Sequence, residues 1–173
     1  RDAPTHLVAD AIRSGGLANI KARRIQDVLH DLTEKQETGH HPGPLTRYLS
    51  DTLDGKQPEE AWHYLRGFVG EGPKTDACVL MFNLDKPVMP VDTHVWRTSQ
   101  RLGIIGPKVS ADQAHTIYAR ITPSEWVYPL HVNLIRHGRK ICHSQRPECG
   151  RCPLYNECAY VGSVDPQETA LFG

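Results

Sequence analysis

Apolar residues recur at helical spacing along almost the whole chain, and no stretch sustains the alternate-residue pattern of a half-buried strand. That regularity restricts the architecture to helices packed on helices, so the expected fold class is all-α. At 173 residues the chain can bury a core and form one domain or two small interlocked ones. Its longest apolar run, Ala77 to Phe82, falls far short of the roughly 20 residues that cross a bilayer. With a mean hydropathy of -0.48, the expectation is a soluble protein with no membrane partner. No charged stretch followed by an apolar one opens the chain, so no secretory signal is expected and a cytoplasmic setting is, nucleoid-associated if the source is prokaryotic. Lys plus Arg and Asp plus Glu both number 20, which leaves no global charge bias; any nucleic-acid face must be a local patch.

The helical pattern divides at turn signals. A first helix is expected with Asp2 as N-cap and Pro4 in its opening turn, burying Leu7, Val8, Ala11 and Ile12 and stopping at Gly15-Gly16. A second carries Ala22, Ile25, Leu29 and Leu32 on one face and Lys21, Arg23 and Arg24 outside it; Thr38 to Pro44 is a loop. A short helix with Leu45, Tyr48, Leu49 and Leu53 follows, then one opened by Pro58, Glu59 and Glu60. After Gly70-Glu71-Gly72, Pro73 opens a helix that contains the apolar run. Asp92, Ser110 and Thr122 each look like N-caps, with Gln113 and Glu125 completing capping boxes for the last two. Pro129 is expected to kink or restart the last long helix, which reaches Ile141.

Four of the five cysteines form the pattern Cys142-x6-Cys149-x2-Cys152-x5-Cys158. Zinc sites usually offer two short Cys-x-x-Cys hooks, and only Cys149 and Cys152 make one here. Four thiolates threaded along one loop suit a [4Fe-4S] cube, whose irons each take one sulfur; zinc and a disulfide framework are the alternatives. Cys78 lies apart, in the apolar run, and reads as a small buried hydrophobe.

The turn before Pro73 holds two glycines, which permit the close backbone approach that a phosphate needs. Lys74 falls in the first turn of the next helix, where the macrodipole disfavours a cation and partial desolvation would favour a nucleophilic amine. Asp92 is placed to cap its helix and, if it faces a cleft, to stabilise developing positive charge or accept a proton.

Taken together, the Gly70-Glu71-Gly72-Pro73-Lys74-Thr75 turn, Val91-Asp92-Thr93-His94 with Arg97 after it, His137-Gly138-Arg139 and the four-cysteine loop resemble endonuclease III. The chain is similar to that iron-sulfur branch of the helix-hairpin-helix DNA glycosylase superfamily from about Pro4 to about Tyr160. The resemblance implies that Lys74 is the nucleophile and Asp92 the catalytic carboxylate. It implies that Val69, Gly70 and Gly72, with Thr75, form the phosphate-binding hairpin and that Leu17 enters the duplex gap left by a flipped nucleotide. It further implies that Cys142, Cys149, Cys152 and Cys158 hold a [4Fe-4S] cluster ordering a basic loop in which Arg146 meets a phosphate. Two basic patches agree with a DNA face: Lys21, Arg23 and Arg24, and the segment 136–151 with Arg136, Arg139, Lys140, Arg146 and Arg151 against Glu148.

Two departures from the family stand out. Glu71 places a negative charge where the hairpin is usually apolar. The chain is also expected to lack the family's N-terminal segment, which supplies the first helix of the cluster domain, part of the helical barrel and a gap-filling glutamine. The resulting expectation is a two-lobed fold, 1–86 a helical lobe with the hairpin and 87–173 the iron-sulfur lobe, acting as a monomer on damaged double-stranded DNA in the cleft between them. The expected reaction is excision of an oxidised pyrimidine with AP-lyase cleavage through a lysine Schiff base. The alternatives are a non-catalytic DNA-binding fragment of this fold and, more weakly, a zinc-holding nucleic-acid domain.

Overall fold

A computed structural model describes residues 1–68 and 72–163; the turn positions Val69, Gly70 and Glu71 lie outside the described residues. The described chain is helical, without strands, in the order α1 (Thr5–Ala11), α2 (Ala18–Thr38), α3 (Leu45–Leu53), α4 (Pro58–Arg66), α5 (Pro73–Asn83), α6 (Thr93–Leu102), α7 (Ala111–Ile121), α8 (Ser124–Lys140) and α9 (Ala159–Ser163). It forms two compact units, Arg1–Gly72 and Pro73–Gly173. Among the described residues no helix is long and apolar enough to cross a membrane.

In the first unit, α1 packs against the 21-residue α2. Gln26 of α2 accepts from Thr5 Oγ1 at 2.7 Å and donates to the Ala3 carbonyl at 2.7 Å, which anchors the chain start. This geometry corrects three expectations. Pro4, not Asp2, is the N-cap of α1, and the helix yields at Ile12 to a 3₁₀ turn, Arg13–Gly15. Its buried residue is Ala9, while Leu7 is exposed and Val8 and Ile12 are half-buried. On α2 the buried positions are Ala22 and Leu32, whereas Ile25 is exposed. Helix α4 starts as anticipated at Pro58, with the Gln57 N–H donating to Glu60 at 3.3 Å.

The second unit is built on α6 against α8. Val95 on α6 and Leu134 on α8 join Met89, Val91 and Tyr118 in its buried core. The two helices approach closely at Gly138, where an added Cβ would lie 2.9 Å from His94 Cβ and 3.1 Å from Thr98 Oγ1. Arg97 fastens the same pair, donating to the Gly138 and Cys142 carbonyls, each at 2.9 Å. Helix α6 ends at Gly103 with φ +81°, the left-handed conformation glycine adopts at low cost, and the Ile104 N–H returns to the Ser99 carbonyl at 2.9 Å. Ser110 and Gln113 form the expected capping box on α7. Thr122 is not an N-cap: it is the C-cap of α7, and Pro123 is the N-cap of α8. Pro129 does not restart the helix either; α8 runs through it from Ser124 to Lys140, although the proline has no N–H to give the Glu125 carbonyl.

Candidate active site and cysteine cavity

Helix α5 buries Asp76, Ala77, Leu80 and Met81, which leaves Lys74 and Thr75 in its first turn facing outward. Lys74 is therefore exposed rather than partly desolvated as the sequence suggested. The extended segment before α6 ends at Asp92, whose Oδ1 accepts from the Val95 N–H at 2.8 Å in the expected N-cap. Two buried imidazoles of the second unit hold this segment: His115 Nδ1 donates to the Met89 carbonyl and His131 Nδ1 to the Pro90 carbonyl, both at 3.0 Å.

Lys74 and Asp92 line one open cleft of about 350 Å³ together with His94, Trp96 and Arg139. Two neighbouring groups respond to both charges. Burial pushes the Cys78 thiol up, with Lys74 pulling it down and Asp92 raising it. Burial pulls the His131 imidazole below its ordinary 6.5, while the Pro90 carbonyl and Asp92 act upward and Lys74 downward. Cys78 itself is half-buried, one helical turn after Lys74, rather than fully buried as expected. An amine and a carboxylate at the starts of two helices thus line one cleft, together with an exposed guanidinium.

The four cysteines of the C-terminal loop line a second cavity, with Arg101, His137 and Tyr160 among its walls. Cys142 and Cys149 are buried and Cys152 and Cys158 half-buried, all as free thiols. Burial and the other three cysteines push the Cys149 thiol up, and Arg101 opposes them. His137 Nε2 lies 3.7 Å from Cys152 Sγ. Among the described residues no group of three or more His, Cys, Asp or Glu side chains is placed to hold a metal ion.

The remaining sequence-derived positions fall in both units. Leu17 stands in the first unit between Arg13–Gly15 and α2, 72% exposed and at φ +53°, a left-handed conformation that costs a leucine about 1–2 kcal/mol. Gly72 ends that unit, with open space where a side chain would go. Arg146 is exposed on the loop between the first two cysteines, also at positive φ. Glu148 contacts Arg151 and accepts from His143 at 3.1 Å, and these two partners hold its carboxyl below the usual range. The one acidic residue of that patch is therefore engaged by its own neighbours. Arg139, part of the His137-Gly138-Arg139 motif and of the basic stretch, reaches the Lys74 cleft, whereas Arg101 gave no motif signal, being one arginine on an amphipathic helix.

A helical unit with an amine and a carboxylate on one cleft and four thiols on another places the chain in the endonuclease III-like class. Residues 1–123 match the family described as HhH-GPD superfamily base excision DNA repair protein, and the chain belongs to that superfamily. It is 37% identical to the Arabidopsis thaliana protein At3g47830 over 95% of this chain and 54% of that one. It is 30% identical to endonuclease III of Sulfolobus acidocaldarius over 92% of this chain and 65% of that enzyme. The chain therefore spans between about half and two thirds of these relatives. Among solved structures it resembles a trapped endonuclease III-DNA covalent intermediate, an estranged-adenine complex, with a TM-score of 0.70 and 30% identity over 92% of this chain and 67% of that one.

Proposed function

We propose that the protein is a DNA glycosylase with AP-lyase activity that removes oxidised pyrimidines from duplex DNA, Lys74 being its nucleophile and Asp92 its catalytic carboxylate. The observation that carries this reading is the shared cleft of Lys74 and Asp92 at two helix starts, with Arg139 beside them. A base inside the stack is out of reach, so its nucleotide is first turned out of the helix. The deprotonated Lys74 Nζ attacks C1′, and the C1′–N bond breaks as its electron pair leaves with the base. Asp92 stabilises the positive charge that develops on the sugar and takes up the proton that the amine loses. Opening of the sugar ring gives a C1′ imine. Loss of a C2′ proton then expels the 3′ phosphate, and hydrolysis of the imine restores the lysine.

Leu17 fits the wedge role: an exposed apolar side chain held in a costly conformation has little packing to explain it. Thr75, Gly72 and the turn residues Val69 and Gly70 are proposed to grip one phosphate, and Arg146 another. Cys142, Cys149, Cys152 and Cys158 are proposed to hold a [4Fe-4S] cluster. The donor set fits it: four cysteine side chains, one for each iron, line a single cavity. Bound there, the cluster supplies iron-thiolate bonds that fix the basic loop.

Borohydride trapping on duplexes carrying oxidised pyrimidines, other lesions or an abasic site tests nucleophile and substrate together. A trapped complex lost in Lys74→Gln supports the proposal. Binding without trapping on any duplex would favour the non-catalytic reading.

A further inference from the structure

Arg101 stands in the last turn of α6 and makes more contacts around the cysteine cavity than its place in the sequence suggests. One guanidinium nitrogen donates to Cys142 Sγ at 3.3 Å and to the His143 carbonyl at 2.6 Å; the other donates to the Ser144 carbonyl at 3.1 Å. Its guanidinium carbon lies 4.9 Å from the Tyr160 ring centroid, a cation-π distance. Its own carbonyl accepts from Cys158 Sγ at 3.3 Å, so this one residue meets the first and the last cysteine of the loop.

The arginine is half-buried, and among the described residues it has no ion pair with a carboxylate. The acidic residue that also lines the cavity, Glu148, is occupied by Arg151 and His143. A half-buried guanidinium gains from a nearby negative charge, and the acceptor of that kind within its reach is Cys142 Sγ at 3.3 Å. Four thiolates around a [4Fe-4S] core of charge 2+ leave a net charge of 2−, and one-electron oxidation of the core lowers that to 1−. A fixed cation with an N–H directed at a ligand sulfur favours the more negative state.

We propose that Arg101 is the fixed counter-charge of the cluster, setting its reduction potential and protecting the 2+ state from one-electron oxidation. The proposal rests on the cluster reading above. It concerns a positioning residue: Arg101 acts through Cys142 and through the charge it places beside the thiolates.

The test uses the whole chain, purified without oxygen, as wild type, Arg101→Lys and Arg101→Gln. Three quantities are measured: iron per chain, reduction potential by voltammetry, and the rate of iron loss to ferricyanide, a one-electron oxidant. Wild type without iron would remove the cluster reading itself, independently of Arg101. Given iron in the wild type, Arg101→Lys should hold a potential close to that of the wild type. Arg101→Gln should shift it to lower values and lose iron several-fold faster. Failure of Arg101→Gln alone to load iron, with Arg101→Lys loading normally, supports the same conclusion. Lys and Gln variants that behave alike, whether both unaffected or both impaired, would overturn it, because charge would then not be what the cavity requires.

Discussion

Asp92 caps α6 and is proposed to act in catalysis with the same carboxylate, and substitutions can separate the two roles. Its Oδ1 caps α6 through Val95, a contact an asparagine side chain reproduces. Asp92→Asn is expected to hold the thermal midpoint while slowing base release by an order of magnitude or more. Asp92→Ala should lose the cap as well, at about 1 kcal/mol. Equal loss of stability in both variants would reduce Asp92 to a structural residue. Leu17 permits the opposite separation. Glycine relieves its left-handed strain, so Leu17→Gly should leave the midpoint unchanged or raise it while weakening excision. Unchanged excision by that variant would end the wedge assignment. The capping role of Asp92 was legible from the sequence, because a cap needs only the right side chain before a helical pattern. The strain at Leu17 was not, since a positive φ at a non-glycine residue has no sequence signature.

At the scale of elements, α6 and α8 position the cleft, and their approach rests on Gly138. Gly138→Ala would drive a methyl group into His94 and Thr98, neither of which can retreat without moving α6. The expected cost is about 1–3 kcal/mol, read as a fall in thermal midpoint of about 2–4 °C per kcal/mol. An unchanged midpoint would show that the helices can part there freely. His131 gives the segment before Asp92 a pH dependence. Burial keeps its imidazole below 6.5 in the folded chain, so as pH falls through that value the unfolded chain takes up a proton that the folded chain refuses. Stability present above 6.5 therefore declines below it. His131→Asn, able to keep a donor to the Pro90 carbonyl, should flatten part of that decline; His137 is displaced in the same direction and retains the rest. An unaltered slope in the variant would remove His131 from the account. Helix starts were the readable part of this scale, as Pro58, Pro73, Asp92 and Ser110 show. The first helix and Thr122 were misread because sequence distinguishes a cap from a preceding turn only when the neighbouring helix end is known.

For the whole molecule, a formal net charge of zero puts the weight of any DNA binding on local patches. With Glu148 engaged by Arg151 and His143, the exposed Arg146 has no acidic partner among the described residues of its loop. Arg146→Ala should weaken binding to all duplexes alike and make the slope of log affinity against log salt shallower by about 1. A slope unchanged by the substitution would place Arg146 off the phosphate backbone. The all-helical class and the endonuclease III-like family were both readable, because periodicity and the spacing of Lys74, Asp92 and the four cysteines are properties of the chain itself. The cavity's Arg101 was not: it is brought to its site by helix packing, which single-residue motifs do not encode.

The covalent attack proposed for Lys74 is tested by single-turnover borohydride trapping on lesion-bearing and abasic duplexes. A protein-DNA adduct is expected in the wild type and none in Lys74→Gln, which should still bind the duplex. An adduct of undiminished yield in Lys74→Gln would contradict it.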